Sequence, residues 1–396
     1  MMKKNVIIRS GSLRMGGLER VLIEVLQNID KKKYNVTLVI DDNCGQGNIF
    51  EKDIPKEIPY YFLKSQKLIE KTEYYKKRKK NLICKVIYNL YMNLETFIMC
   101  REMKKIIKYL GKIDILIDFD AGATKYIEKI KAEKKIVWIH NSIPKLKKKQ
   151  SKIERFGKRL EKYDKIVAIC DEMKEELKKI YPNLKNKVTR IYNPFNFDRI
   201  KLLENNDENL SDREKKLLKD KYIVAIARLD NVQKDFNTLI KAFKILKEKG
   251  NKERLYIIGD GPSKYEIEQE IKKNNLEKDI LLIGNKKNPY IWLKNSILFV
   301  HSSKYEGLPT VLIEALICEK MIISSDCPTG PKEILAEESC GRLFGVGNFK
   351  ELANLLEIYL NSEEKRIEFI AKILKRREEF NKEVVIKEYE KLIDEI

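Results

Sequence analysis

Apolar residues recur along this chain in two alternating rhythms. Short runs rich in Val, Ile and Leu are separated by longer stretches in which apolar residues return at helical spacing. In the first half, runs at 5–9, 36–40, 113–119, 136–139, 166–169 and 187–191 predict strands. Helices are predicted between them, near 18–28, 81–110, 122–131, 150–162 and 171–180. The second half repeats the pattern. Strands are predicted at 222–227, 255–259, 280–284, 297–301, 321–324 and 342–344, with helices near 236–249, 263–274, 309–318, 348–360 and 363–395. Short, nearly continuous apolar strands alternating with helices belong to parallel sheets covered on both faces. Two such series imply an α/β chain of two doubly wound, Rossmann-like domains. The boundary falls in Ile191-Tyr-Asn-Pro-Phe-Asn196, followed by a polar stretch at 204–220. In open sheets of this kind ligands bind beyond the carboxyl ends of the strands, so two facing sheets would place a site in the cleft between domains.

One helix breaks the amphipathic rule. In Pro309-Thr-Val-Leu-Ile-Glu-Ala-Leu-Ile-Cys318, apolar side chains cover nearly the whole circumference, and only Thr310 and Glu314 interrupt them. Such a helix is buried. A carboxylate on it must be paired or hydrogen-bonded. Pro309 suits the start of the helix, because its missing N–H is not needed there.

Composition narrows the class. No run approaches the roughly 18–20 uncharged apolar residues of a membrane span, and the opening Met1-Met-Lys-Lys-Asn-Val-Ile-Ile-Arg-Ser10 reads as a strand rather than a secretory core. The seven cysteines form no Cys-x-x-Cys pair and read as reduced core residues of a cytoplasmic protein. Two histidines make a His-rich metal site a poor expectation. The net charge of +21 is unevenly placed: residues 1–200 hold 46 basic and 25 acidic side chains, whereas the remainder holds 35 of each. A lysine-rich coding bias would raise lysine throughout; what differs is that acids fail to match it in the first half. That asymmetry predicts an anionic partner for the N-terminal half, such as a membrane surface, a nucleic acid or a phosphorylated acceptor. Within it, Lys76-Lys-Arg-Lys-Lys80 adjoins an apolar-rich helix containing tyrosines. This suits a membrane interface, or equally a helix packed on its own domain with lysines in water.

Candidate chemistry lies at strand ends. Ile257-Ile-Gly-Asp-Gly-Pro262 and Leu282-Ile-Gly284 each close a strand with glycine, which permits close backbone approach to a ligand or simply makes a tight turn. Arg228 follows the 222–227 strand and Lys234 lies six residues on; together with a helix N-terminus they could compensate a diphosphate. Gly16 and Gly17 open an amphipathic helix and would present free N–H groups to an anion. Asp118-Phe-Asp120 has the form of a metal-binding pair but ends a strand of the first domain, and reads as cleft or surface acids.

Taken in order, Gly16-Gly-Leu-Glu-Arg20, Ile226-Ala-Arg-Leu229 with Lys234, Ile258-Gly-Asp-Gly-Pro262, the pair Glu306/Glu314 and Ser325-Asp-Cys-Pro-Thr-Gly-Pro-Lys-Glu-Ile-Leu335 resemble the retaining GT-B glycosyltransferases of glycosyltransferase family 4. The resemblance implies a GT-B fold with an inter-domain cleft. It implies an acceptor-binding domain at 1–196, a nucleotide-sugar domain at 197–375 and a C-terminal helix at 376–396 that packs back on the first. By the same resemblance Glu314 would bind the donor ribose, Glu306 the donor sugar, and Arg228 and Lys234 the diphosphate. Gly16 and Gly17 would lie near the phosphates, and the strand-end glycines Gly259, Gly261 and Gly284 are further candidates for contact with the nucleotide-sugar. The helix opening at Pro309 and Thr310 would cradle phosphate with its N–H groups, and His140 would stand over the sugar. His301 reads as packing or support. Two positions depart from the family pattern: Ala227 and Asp235 replace glycines, and Asp235 brings a carboxylate close to the phosphate loop.

The function this implies is retaining transfer of a sugar from a nucleotide-sugar, a UDP-sugar above others, to a glycan or a polyprenyl-diphosphate-linked acceptor in surface polysaccharide or glycoconjugate synthesis. No cofactor or metal is expected, because protein cations replace it, and the chain would lie peripherally on the inner membrane face. Two alternatives remain open at this level. A non-hydrolysing sugar-nucleotide epimerase shares the architecture. A basic nucleic-acid-binding protein fits the charge, but no recognition module appears and Glu314 would be left unexplained, so nucleic acid is not an expected partner.

Overall fold

The computed structural model describes residues 3–147, 149–208 and 210–396. Met1 and Met2, at the head of the first predicted strand, lie outside them. The chain forms two compact units, one of Met1–Phe195 with Lys382–Ile396 and the other of Asn196–Asn381. The return to the first unit thus begins at Lys382, six residues beyond the 376 expected.

The first unit is built on a seven-stranded sheet. Its strands are β1 (Lys4–Ser10), β2 (Tyr34–Asp42), β3 (Tyr60–Lys64), β4 (Ile115–Asp118), β5 (Lys134–Ile139), β6 (Lys165–Ala168) and β7 (Val188–Arg190). Every pairing is parallel, in the order β3-β2-β1-β4-β5-β6-β7. The central strands are buried on both faces, which is why they read as unbroken apolar runs. Strand order reverses between β1 and β4, a topological switch point where such sheets open a crevice. The crossover from β3 to β4 carries two helices, α2 (Gln66–Lys77) and α3 (Leu82–Leu110); α1 (Gly17–Asn28) follows β1.

The helix Lys382–Glu395 completes this unit. Tyr389 stacks on the buried Trp138 of β5 with ring centroids 4.8 Å apart, and Tyr34 donates to Asp394 at 2.9 Å. The single helix predicted at 363–395 is instead broken into segments. Asn381 takes an extended conformation at the break, where the chain leaves one unit for the other.

The second unit has six parallel strands: β8 (Tyr222–Ile226), β9 (Arg254–Ile258), β10 (Ile280–Gly284), β11 (Phe299–His301), β12 (Ile322–Ser325) and β13 (Arg342–Phe344). Their order is β10-β9-β8-β11-β12-β13, so the switch point lies between β8 and β11.

One further expectation needs correction, and two elements were not anticipated. The β3 strand was not predicted; it lies at the sheet edge with only Leu63 buried, so its apolar signal is weak. The helix expected at 122–131 is a pair of 3-10 turns, Gly122–Lys125 and Ile127–Lys129. Ala121 enters them in the left-handed conformation, and Asp118 and Asp120 take the N–H groups of Ala123 and Gly122. The polar stretch 204–220 contains a helix, Asp212–Leu217, closed by a Ser211/Glu214 capping box.

Candidate functional site

The switch point of the second unit gathers most of the predicted residues. After β8 the chain passes exposed Arg228 and turns at 230–234, with Lys234 N–H donating to the Asp230 carbonyl at 2.8 Å. After β11 it passes Ser302 and Ser303 and reaches Glu306. Lys234 and Ser303 form a short antiparallel bridge that ties the two strand ends together. Across it the Lys234 ammonium bonds Glu306 Oε1, and both side chains are largely buried.

Glu306 accepts from further donors: Ser303 Oγ at 2.6 Å, His301 Nε2 at 3.1 Å and Gln233 Nε2 at 3.0 Å. Burial opposes its ionisation, but the His301 hydrogen bond and the Lys234 cation outweigh this and hold its carboxyl at about 2. Burial also lowers His301, so its ring is neutral and acts as a hydrogen-bonding brace. The Glu306 backbone is fixed as well. Its N–H donates to the Pro328 carbonyl at 3.2 Å, and Thr329 Oγ1 donates to its carbonyl. Gly330, at φ +99°, lies where a Cβ would press on Pro309 Cδ at 2.5 Å, which fits the 326–330 loop against the helix entrance.

That helix runs Thr310–Ile317, with Pro309 as an N-cap that has no side-chain acceptor. Its first N–H groups, Thr310 included, therefore form a partial positive end suited to an anion. Glu314 is only 7 % exposed, and Tyr290 Oη stands 3.3 Å from its Oε1. Its burial on an apolar helix is as the sequence indicates.

The glycines have separate reasons. At Gly259 (φ +146°) the Cβ position is filled by the Ala227 carbonyl, and at Gly261 by the Leu229 backbone. These two let the ends of β8 and β9 pack together. Gly284, at φ +78°, has open space where its Cβ would stand. The unusual Asp235, next to Lys234, has a structural task of its own. Its carboxylate caps the helix Phe236–Glu248, taking Thr238 N–H at 3.3 Å and Thr238 Oγ1 at 2.7 Å.

In the first unit His140 follows β5. Its ring lies 5.1 Å from Phe119 and hydrogen-bonds the Phe119 backbone, while Nε2 is buried without a partner. Burial lowers the imidazole to about 4, so it is neutral at pH 7. At Gly16 and Gly17 the expected anion meets an obstacle. Glu19 folds back so that its carboxylate stands over Gly16, held by Ser12 Oγ at 2.8 Å. The N-terminus of α1 already faces a negative charge.

Asp118 and Asp120 are not simple surface acids. Arg9, fully buried at the end of β1, bonds Asp41, Asp118 and Asp120 together. Tyr163 adds a 2.6 Å hydrogen bond to Asp118. Burial raises the Asp118 carboxyl despite the Arg9 charge. Among the described residues no group of three or more His, Cys, Asp or Glu side chains is placed to hold a metal ion.

Sequence reasoning undervalued the braces of Glu306. Gln233 and Ser303 were not singled out and His301 only as support; Thr329 sits inside a quoted motif without a role. The small polar pair Ser302-Ser303 between a strand end and Glu306 was the available signal.

Comparison with known proteins agrees with this anatomy. The family model for "Glycosyltransferase Family 4" matches residues 15–199, and that for "Glycosyl transferases group 1" matches residues 206–376. An uncharacterised glycosyltransferase of Methanocaldococcus jannaschii is 39 % identical over 176 residues, 44 % of this chain and 43 % of that protein. A Campylobacter jejuni N-acetylgalactosamine-N,N'-diacetylbacillosaminyl-diphospho-undecaprenol 4-alpha-N-acetylgalactosaminyltransferase is 33 % identical over 42 % of this chain and 44 % of its own length. The match thus spans less than half the length of these curated relatives. Anabaena Alr3699/HepE, solved with UDP, shares the fold at a TM-score of 0.76 with 15 % identity over the whole of both chains. Two family models in series, two doubly wound sheets and a GT-B neighbour of full length together make this chain a GT-B glycosyltransferase of the family 4 type.

Proposed function

We propose that the protein transfers a sugar, with retention of configuration, from a UDP-sugar to a lipid-linked glycan acceptor at the inner membrane face, within surface polysaccharide or glycoconjugate synthesis. The observation that carries the donor half is Lys234, buried against Glu306 at the switch point of the second unit, beside exposed Arg228 and an uncapped helix N-terminus. This arrangement is suited to a departing diphosphate, whose charge grows as the glycosidic bond breaks. Protein cations supply that compensation without a metal. Glu314, buried one turn further along that helix beside Tyr290 Oη, is the acid we assign to the ribose hydroxyls.

In the retaining route we propose, Glu306 is not the nucleophile. With its oxygens committed to Lys234, His301, Ser303 and Gln233, it orients groups and does not attack the anomeric carbon. In the proposed reaction the leaving phosphate accepts the acceptor proton on the same face, and the neutral His140 offers Nε2 to a sugar hydroxyl. Catalysis is then electrostatic stabilisation plus positioning. The acceptor reading draws on the Campylobacter relative, whose name specifies an undecaprenol-diphosphate acceptor, and on the basic first half of the chain.

A thermal-shift panel of nucleotide-sugars tests the donor. A UDP-sugar at a hundred times its Kd should add about 2.7 kcal/mol of stability. Glu314→Ala should abolish the response. A panel with no stabilising member removes the reading. An altered sugar formed from UDP-sugar without acceptor replaces transfer by epimerisation.

A further inference from the structure

We infer that the α2–α3 hairpin is a membrane-docking element, and that its occupant is a bilayer carrying anionic lipid. The inference deepens the lipid-linked reading above and rests on it for its purpose.

The argument begins with length. At 29 residues and about 1.5 Å per residue, α3 is roughly 43 Å long. Lys64, at the carboxyl end of β3, bonds Glu95 of α3 at 2.9 Å. The helix runs antiparallel to the strands, since it leads back to the start of β4. Residues 82–94 therefore project past the carboxyl edge of the sheet, by about 20 Å. Below that level α3 buries Glu95, Met99, Met103 and Ile107, spaced every four residues. Above it no sheet is available. α2 packs against the overhang, through contacts such as the Tyr75–Tyr91 stack at 5.5 Å.

The overhang, with the turn just below it, is nevertheless apolar on its open side. Ile83, Val86, Leu90, Leu94 and Phe97 recur at spacings of three and four, which places them on one face. Ile83 is 70 % exposed, and Leu90 and Phe97 are 63 % exposed. An apolar stripe about 21 Å long, facing water on a single helix, marks an interaction surface.

Charge identifies what covers it. Between Glu73 and Glu95 the chain carries six cations and no acid, five of them in Lys76–Lys80 at the hairpin tip. Arg78 lies 3.7 Å over the Tyr74 ring, and Lys79 lies 3.7 Å over the Tyr88 ring. Further along the stripe face, apolar residues give way to Arg101, Lys104 and Lys108, with Arg101 paired to Glu102. Protein interfaces are depleted in lysine. Apolar side chains ringed by lysine and tyrosine are the composition of an interfacial helix on anionic lipid. No helix among the described residues is long and apolar enough to cross a membrane, so docking would be on the surface. The overhang leaves the sheet at the same edge where His140 and Gly16 stand, which brings a lipid surface to the side where a lipid-borne acceptor is needed.

The test is co-sedimentation of the full chain with vesicles of phosphatidylcholine, alone or mixed with phosphatidylglycerol, at low and high salt. Binding should require phosphatidylglycerol and fall steeply with salt. Leu90→Glu with Phe97→Glu should abolish it. Lys76→Gln, Lys77→Gln and Lys79→Gln should each weaken it about fivefold. All these positions are exposed, so the variants should unfold at the wild-type temperature. With water as the acceptor, they should also release UDP from UDP-N-acetylglucosamine, UDP-glucose or UDP-galactose in vesicle-free buffer as the wild type does. No sedimentation, sedimentation indifferent to these variants, or a dimer in solution that Leu90→Glu dissolves would overturn the inference. Vesicle binding without UDP release from any of these donors would instead remove the proposed function and leave the docking surface standing.

Discussion

The two switch points occupy equivalent places in their sheets and hold opposite balances of charge. In the second unit one buried lysine meets one carboxylate, and the other donors to that carboxylate, from His301, Ser303 and Gln233, are neutral. Arg228 and an uncapped helix end stand nearby, so the surroundings favour an incoming anion. In the first unit one buried arginine meets three aspartates, and Glu19 already covers the end of α1. Those surroundings disfavour an anion. The excess positive charge of the first half therefore lies away from its own switch point, part of it on the α2–α3 hairpin. Net charge and local field point in different directions within one unit, and the local field bears on the chemistry.

This contrast can be broken experimentally. The largest effect should come from Arg9→Leu. It strands three aspartates and should cost about 3–5 kcal/mol in denaturant unfolding. The UDP-induced stabilisation, a property of the other unit, should survive at conditions where the variant folds. Lys234→Ala should reverse that pattern, with turnover falling roughly 10²–10³-fold, about 2.7–4 kcal/mol of barrier, measured as UDP release. Glu314→Ala should next erase the nucleotide-induced gain of about 2.7 kcal/mol at hundredfold excess ligand while leaving the unliganded fold assembled.

The units should also separate by pH. His140 is lowered in the fold to about 4, so the unfolded chain binds more protons between its ordinary value and 4. Stability is then complete above about pH 6.5 and declines toward pH 4, by on the order of 2–3 kcal/mol. Glu306 is lowered to about 2, so its contribution is complete above about pH 4.5 and is lost as pH falls toward 2. His140→Gln should shrink the first decline to the part that His301 contributes and spare the second, as read by unfolding titrations at each pH. The smallest effect should be that of Asp235→Ala, which removes a helix cap worth about 1 kcal/mol and should leave UDP release intact.

Much of this was legible before any coordinates. The strands buried on both faces announce themselves as apolar runs, and the buried Glu314 follows from helical periodicity around one carboxylate. What failed did so for physical reasons. Edge strand β3 buries too little to stand out. The 122–131 segment has a helical look, but local aspartates and a left-handed Ala121 compete for its backbone. Glu306 and Lys234 are separated by 72 residues, and only the pairing of two strand ends makes them neighbours. The capping task of Asp235 was not seen because a loop carboxylate and a helix cap look alike until the helix start is known.

The C-terminal helix has a consequence for assembly. The Trp138–Tyr389 stack and the Tyr34–Asp394 hydrogen bond join segments made before and after Asn196–Asn381. On the ribosome the first sheet must wait, with one flank unsealed, while the intervening body emerges and can fold ahead of it. A stall or nick near residue 381 would release a finished second body attached to an unfinished first one.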